Sequence, residues 1–225
     1  MTKTLVRLCR LLACITLLTT MGIAIGLSAQ ESSSHKANHQ RYKVVVLGTD
    51  GGADSYLGGY LFYAPLNYQG TIGVEGDTPV PGVYNSYTWT DGKQTDLQAL
   101  PVQPGSPPNN TYINWINQWE IAVGYSANGI QDPITGGIEN NAVLWTPDGR
   151  ITNLGTLGGY QSHAIWVNDF GQVSGWVENT TPDPYSMGAG AETQGFIWQY
   201  GVMRRLGTLG GPDSYGEFIN HCCPS

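Results

Sequence analysis

Charged residues are scarce in this chain of 225 residues, where they make up 12% of the sequence. Lys and Arg together number 10 against 17 Asp and Glu, and the formal net charge is −7. No run of basic residues follows the N-terminal segment, and proteins bind nucleic acids and anionic membranes through such runs. The sequence therefore argues against nucleic acid and lipid headgroups as partners.

Cysteine is also rare, with four copies that fall into two groups. Cys9 and Cys14 lie among the first thirty residues, and Cys222 and Cys223 are adjacent. Adjacent cysteines do not form the disulfide framework that holds many small exported domains together. We therefore expect core packing to stabilise the fold.

The first thirty residues have the three-part pattern of an export signal. Basic side chains precede an uncharged apolar run over residues 11–27, and Ala29 offers a small residue for cleavage. The pattern predicts a signal peptide over residues 1–29, followed by a flexible leader over residues 30–41. We expect a secreted, extracellular or cell-envelope protein, with membrane attachment only if the segment is retained as an anchor.

Glycine and aromatic residues are abundant, with 31 Gly, 7 Trp and 13 Tyr. So many aromatic residues are unusual in a disordered chain, because they supply the volume of a packed core. Glycine weakens helices and favours tight turns. The composition therefore predicts many short strands joined by turns, which is the pattern of an all-β protein.

A glycine-rich hexapeptide recurs three times and reveals internal repeats. Its copies read LGTDGG once and LGTLGG twice, and they begin at Leu47, Leu154 and Leu206. An apolar segment that ends in Asn recurs with it, at residues 111–117, 162–168 and 214–220. A strand that ends in Trp recurs as well, at Trp89, Trp145 and Trp198. Several elements that recur in one order indicate a repeat architecture.

Each repeat reads as four short strands. The Asn-ended strand has apolar residues on both faces, as Ile165 and Trp166 show in one copy. Burial on both faces is typical of a sheet stacked between two others. We therefore predict a β-propeller-like array of four-stranded antiparallel blades, with three full repeats and partial ones at each end. The approximate boundaries are 42–97, 98–154 and 155–206, with a partial repeat at 207–220.

These motifs resemble those of the extracellular HAF-repeat family. The resemblance rests on LGTLGG, on the run from Ser162 to Gly175, and on GFIW at Gly195 to Trp198, within a region over about 42–220. It implies a secreted bacterial protein with propeller-like repeats and no common activity. The His-Ala-Phe tripeptide that names the family is replaced here, by residues 194–196, 141–143 and 86–88. No role of that histidine carries over to this chain.

The outer parts of the array differ from a closed propeller. We predict a lone fourth-type strand at residues 42–47 and a lone first-type strand at residues 214–220, followed by an atypical tail over 221–225. A propeller usually closes by sharing one blade between its two ends, and here that blade lacks two strands. We therefore expect an incomplete propeller, from a truncated or degenerate gene product, and self-association through unpaired strand edges.

No catalytic, cofactor or metal motif is present in the sequence. It has no His-Glu-x-x-His, no Gly-x-Ser-x-Gly and no phosphate-binding glycine loop with a lysine. His163 has no acidic or cysteine partner at ligand spacing, which indicates a structural histidine. We therefore predict no catalytic residue, no cofactor, no metal site and no enzymatic activity.

The loops between the second and third strands of each repeat vary most, over residues 75–83, 127–140 and 178–193. Variable loops on one face of a repeat scaffold commonly bind ligands. The predicted ligand-facing residues are Asp77, Asp132, Glu139, Asp183, Tyr185 and Glu192. We expect a non-enzymatic binding or adhesion scaffold for a protein or glycan. The alternatives are a structural surface repeat without a ligand and a carbohydrate-active propeller that uses these carboxylates.

Overall fold

Twelve β-strands occur among the residues that the computed structural model describes. The structure describes residues 43–59, 64–102, 104, 109–186 and 190–220. No helix occurs among these residues, and accordingly none of them forms an apolar helix long enough to cross a membrane. The predictions for the signal peptide, the leader and the C-terminal tail concern residues outside this part of the chain.

The strands form three four-stranded antiparallel sheets, each built from consecutive strands. The first sheet contains β1 (Ser55–Leu57), β2 (Ile72–Asp77), β3 (Tyr84–Thr90) and β4 (Lys93–Asp96). The second contains β5 (Thr111–Ile116), β6 (Ala122–Gln131), β7 (Ile138–Trp145) and β8 (Ile151–Gly155). The third contains β9 (Ser162–Val167), β10 (Val173–Pro182), β11 (Ala191–Gln199) and β12 (Val202–Arg205). The predicted all-β class and the three four-stranded units are confirmed.

Two-residue turns join the third and fourth strands of the first and third sheets. Asp91 and Gly92 both have positive φ, at 48° and 86°, and Tyr200 and Gly201 have 51° and 81°. Such left-handed pairs make the turns whose twist matches that of an antiparallel hairpin. The turns therefore set the register of the outer strands.

Two of the three hexapeptide copies need their final glycine because the backbone passes close to the second strand of the same repeat. Gly52 donates to the Asp77 carbonyl at 2.9 Å, and Gly159 donates to the Glu178 carbonyl at 3.3 Å. A Cβ atom at either glycine would lie 2.4 to 2.5 Å from the Cβ of that acidic residue. Only glycine permits this approach.

The hydrophobic core lies in two clusters of buried side chains. One contains Trp145, which is fully buried and donates from Nε1 to the Gln98 carbonyl at 2.7 Å. The same cluster holds Ile113 and Ile116 of β5, both essentially unexposed. A second cluster combines buried residues of the second and third sheets, including Phe196.

An asparagine ladder connects the repeats at the turns that lead into their second strands. The Nδ2 atoms of Asn67, Asn117 and Asn168 each donate to the backbone carbonyl of the next asparagine in the series, at 3.0 to 3.1 Å. The donor and acceptor residues are 50, 51 and 52 positions apart. The final acceptor is the carbonyl of Asn220. These hydrogen bonds explain why an asparagine recurs at this point of every repeat.

A hydroxyl ladder performs the same task at the other end of the first strands. The Oγ1 of Thr111 accepts from the Ser86 amide, and the Oγ of Ser162 accepts from the Ala142 amide. Ser214 Oγ accepts likewise from the third sheet. Thr111 and Ser162 are fully buried, so water does not compete for these hydrogen bonds. Together the two ladders fasten each of these first strands to the preceding sheet at both ends.

The predicted partial repeats do not form strands. Residues 43–47 lack the ladder of backbone hydrogen bonds that defines a strand. Residues 214–220 also form no strand. Their amides make two separate hydrogen bonds to the third sheet, from Ser214 to the Thr193 carbonyl at 2.8 Å and from Gly216 to the Gly175 carbonyl at 3.2 Å. They nevertheless continue both ladders through Ser214 and Asn220. The prediction of strands in these segments is therefore wrong, while the predicted repeat of side-chain positions holds for residues 214–220.

Candidate functional site

The hairpins between the second and third strands are longer than the sequence indicates. In the second sheet the pairing continues from Ala127↔Asn140 to Gln131↔Ile138, and in the third sheet it reaches Pro182↔Ala191. The loops therefore shrink to residues 78–83, 132–137 and 183–190. About half of the residues in the predicted variable loops thus lie in strands, which makes the hairpins firm walls for a site.

A cavity of about 530 Å³ lies beside the hairpins of the first and second sheets. Its walls are Val80, Pro81, Gly82, Val83, Asn109, Asn110, Ala127, Gly129, Ile138 and Asn140. Three rings, Tyr112, Tyr125 and His163, complete the lining. No Asp, Glu, Lys or Arg is among these residues. The cavity therefore offers amides, aromatic rings and aliphatic surface in place of charge.

The three rings are stacked on one another. Tyr112 and Tyr125 are cross-strand neighbours in the second sheet, and their ring centroids are 4.6 Å apart. The ring of His163, from the third sheet, lies 3.7 Å from that of Tyr125 and within 10° of parallel. Each ring covers a face of the next, so the edges are the parts left to meet a ligand.

His163 is uncharged in this setting. Burial lowers the pKa of its imidazole to about 3, so the ring is neutral at ordinary pH. Neither ring nitrogen has a hydrogen-bond partner in the described ranges of the chain, and neither is sealed from solvent. A neutral imidazole offers one donor and one acceptor, and here both are available to a molecule in the cavity.

Tyr125 presents a protonated hydroxyl to the same space. Burial raises its pKa, and the neighbouring Tyr112 and Glu75 raise it further. Its oxygen has no hydrogen-bond partner within the described residues and is not sealed from solvent. Tyr112 is less available, because its hydroxyl has a long contact of 3.4 Å with the Asn110 amide.

Glu75 occupies the position in the first sheet that Tyr125 occupies in the second. The register pairs Tyr56 with Glu75, as it pairs Tyr112 with Tyr125. Burial raises the pKa of Glu75 to about 7, and a hydrogen bond from the Ile113 amide limits this increase. The carboxyl beside the cavity rings is therefore mostly protonated below neutral pH.

Asp132, one of the predicted ligand-facing residues, is fully buried. Its carboxylate accepts hydrogen bonds from Ile134 N, from Thr135 N and Oγ1, and from Gln161 Nε2. Burial acts to raise the pKa of Asp132, but these hydrogen bonds prevail and lower it. The carboxylate shapes the hairpin turn and ties it to Gln161.

Glu139 and Glu192 lie in paired strands and occupy matching places in successive repeats. Asn128 Nδ2 donates to Glu139 at 2.8 Å, and Asn179 Nδ2 donates to Glu192 at 2.8 Å. Each pair bridges the two strands of its hairpin. These carboxylates therefore belong to the repeat, although the sequence suggests variable positions.

The remaining predicted residues lie apart from the cavity. Asp183 accepts from the amide of Tyr185, whose side chain is 92% exposed. Asp77 ends β2, and its Oδ1 is buried without a hydrogen-bond partner in the part of the chain that the structure describes. None of the six predicted residues lines the cavity. The sequence offers one signal for the residues that do line it, which is the recurrence of rings at equivalent positions of the repeats. Aligning residues 111–117 with 162–168 puts Tyr112 and His163 at the same position.

A second cavity, of about 450 Å³, lies at the opposite end of the first strands. Trp115 and Trp166 stack there with centroids 3.5 Å apart. The amides of Asn67 and Asn117 in its lining are already engaged in the asparagine ladder. This cavity thus offers a polar ligand fewer free groups than the first.

Comparisons of the chain with models of known protein families, with curated proteins and with solved structures find no match. The described part of the chain defines an all-β protein built from three repeated four-stranded antiparallel sheets. Within the described ranges, no three His, Cys, Asp or Glu side chains come together as metal ligands would.

Proposed function

We propose that this protein is an exported, non-enzymatic binding scaffold that holds a neutral glycan in the cavity beside its first two hairpins. The observation that carries this proposal is the pairing of two uncharged groups, Tyr125 Oη and the His163 ring nitrogens. Both lack partners in the described part of the protein and both line one cavity. Export is supported by the signal-like pattern of residues 1–29.

The chemistry of the cavity favours hydroxyl-rich, uncharged ligands. A sugar hydroxyl both donates and accepts, as do a tyrosine hydroxyl and, at its two nitrogens, a neutral imidazole. A charged ligand would lose its hydration without meeting an opposite charge among the lining residues. Binding sites commonly combine an apolar and aromatic lining with a few placed polar groups, and this cavity has that composition.

The arrangement of the sheets supports a propeller-like array as the scaffold. Each first strand is fastened to the sheet before it through the asparagine and hydroxyl ladders. In a propeller, successive four-stranded blades pack face to face in this order. A stacked scaffold of this kind would hold the hairpins of different sheets in fixed positions around the cavity.

Hydrolysis of a glycan is less well supported than binding. A glycosidase needs two carboxyl groups placed across the scissile bond. The carboxylates of Asp132, Glu139 and Glu192 instead accept hydrogen bonds from protein side chains and lie outside the cavity lining. These contacts favour a scaffold that retains its ligand unchanged.

Calorimetric titration with four uncharged hexasaccharides tests the proposal. The β-1,4-linked glucose, mannose and xylose series and the α-1,4-linked glucose series supply them. At least one should bind, and Tyr125→Phe, which keeps the ring and removes only the hydroxyl, should weaken binding by roughly tenfold. Tyr200→Phe is the matched control, because Tyr200 is 86% exposed and lies in a turn outside the cavity. No binding in the millimolar range, or equal effects of the two variants, would contradict the proposal.

A further inference from the structure

The stacked rings of the cavity belong to a longer row. Beyond His163 the row continues to Trp176, whose ring centroid lies 4.2 Å from that of the imidazole. It then reaches Tyr215 at 6.3 Å, edge-on to the Trp176 ring. Trp176 is the cross-strand neighbour of His163, as Tyr125 is of Tyr112. The row therefore crosses the second and third sheets and runs past the cavity, whose lining excludes Trp176.

Three rings of the row carry polar groups that have no hydrogen-bond partner among the described residues. Trp176 is partly exposed, and its Nε1 has no hydrogen-bond partner among the described residues and is not sealed from solvent. The same holds for Tyr125 Oη and the His163 nitrogens, so three successive rings each present an unused polar group. Because neighbouring rings cover the faces of Tyr125 and His163, a ligand meets the hydrogen-bonding edges of these two rings.

We propose that this row is a track for a linear, neutral polysaccharide, which engages several sugar units across the second and third sheets. The inference rests on the proposed glycan-binding function and adds that the ligand is a polymer. A single sugar could contact Tyr125 and His163 in the cavity, whereas Trp176 lies outside it. A polymer with a hydroxyl on every unit meets each of the successive polar edges in turn.

An extended peptide fits the row less well. Peptides commonly bind by adding a strand to an unpaired sheet edge. Trp176 and Tyr125 lie on β10 and β6, each paired on both sides within its sheet. Tyrosine and neutral histidine groups that both donate and accept match sugar hydroxyls, which also do both.

The test is the affinity of one sugar series as a function of chain length. Calorimetric titrations would use the best-bound of the four series, from the monosaccharide to the hexasaccharide. Affinity should rise with length, and Trp176→Phe should weaken the hexasaccharide about fivefold to tenfold while leaving the monosaccharide within twofold. Trp119→Phe is the matched control, because Trp119 is 58% exposed and its Nε1 donates to the Asp169 carbonyl in a turn between first and second strands. This variant should leave both affinities unchanged.

A measurement on the unaltered protein covers the case in which Trp176→Phe unfolds. The indole N–H resonance of Trp176 should shift in NMR spectra on adding the hexasaccharide and stay in place with the monosaccharide. Affinity independent of length, with an unmoved Trp176 resonance, would overturn the track and leave the cavity proposal standing. No binding of any glycan would overturn both. Displacement of the hexasaccharide by an uncharged Gly-Asn repeat peptide of higher affinity would assign the row to peptides and overturn the inference.

Discussion

Replacing Asn117 with aspartate should remove the hydrogen bond that Asn117 makes to the next repeat while keeping those that it accepts within its own turn. Asn117 Oδ1 accepts from the amides of Trp119 and Ile121, and aspartate can keep both contacts. The Nδ2 that donates to the Asn168 carbonyl at 3.0 Å becomes an oxygen facing another oxygen. Asn117 is only 3% exposed, so water cannot relieve that contact. The substitution therefore breaks the ladder with almost no change of shape.

The expected loss of unfolding free energy is about 3–5 kcal/mol at pH 7, since a buried charge is left without compensation. Protonation would restore a donor, so burial should raise the pKa of the new carboxyl and the loss should shrink as the pH falls. Urea unfolding followed by tryptophan fluorescence at pH 7 and pH 5 measures both effects. Asn153→Asp is the control, because exposed Asn153 uses only its oxygen and should change stability by less than about 0.5 kcal/mol. A cost below about 1 kcal/mol for Asn117→Asp would refute the ladder as a support of the stack.

Two further predictions concern close packing and pH. Gly159→Ala should lower the free energy of unfolding in urea by about 2 kcal/mol or more, because the new Cβ would lie 2.5 Å from the Cβ of Glu178. Gly211→Ala, which has open space around it, should change it very little. Equal losses for the two variants would contradict the packing argument. Folding raises the pKa of Glu75 from 4.5 to about 7 and lowers that of His163 from 6.5 to about 3, so rising pH between 4.5 and 6.5 costs stability through Glu75 and adds it through His163. Relative to the wild type, Glu75→Gln should gain stability with rising pH and His163→Phe should lose it, each by up to about 1.4 kcal/mol per pH unit, and slopes of the same sign would contradict the assignment.

The strands of the three repeats were predictable because their signals are local. Trp89, Trp145 and Trp198 mark the third strand of each sheet, and all three lie in β3, β7 and β11. The Asp-Gly and Tyr-Gly turns also follow from short-range backbone preferences. The segment at residues 43–47 has the same local pattern, but a strand also requires a partner, which a local pattern does not supply.

The cavity could not be predicted in the same way, because its lining comes from the packing of separate sheets. His163 is one of four histidines and has no ligand-type partner near it in the sequence, and its role depends on the ring of Tyr125 from another repeat. Asp132 resembles a loop carboxylate, yet Gln161, far along the chain, completes its hydrogen bonds and buries it. From sequence alone, polar residues in Gly-rich hairpins are assigned to solvated loops, because the distant residues that bury them cannot be identified.

The ionisation state of His163 in the free and bound protein tests the central claim most directly. Two-dimensional ¹H–¹⁵N NMR of the imidazole reports both the proton and the hydrogen bonds at its nitrogens. We expect a neutral ring from pH 5 to pH 8, because burial lowers the pKa of His163 to about 3. We also expect the resonances of the ring nitrogens to shift when the best-bound hexasaccharide is added. A ring that titrates near its ordinary pKa, or one whose nitrogens stay unperturbed at saturating glycan, would contradict it.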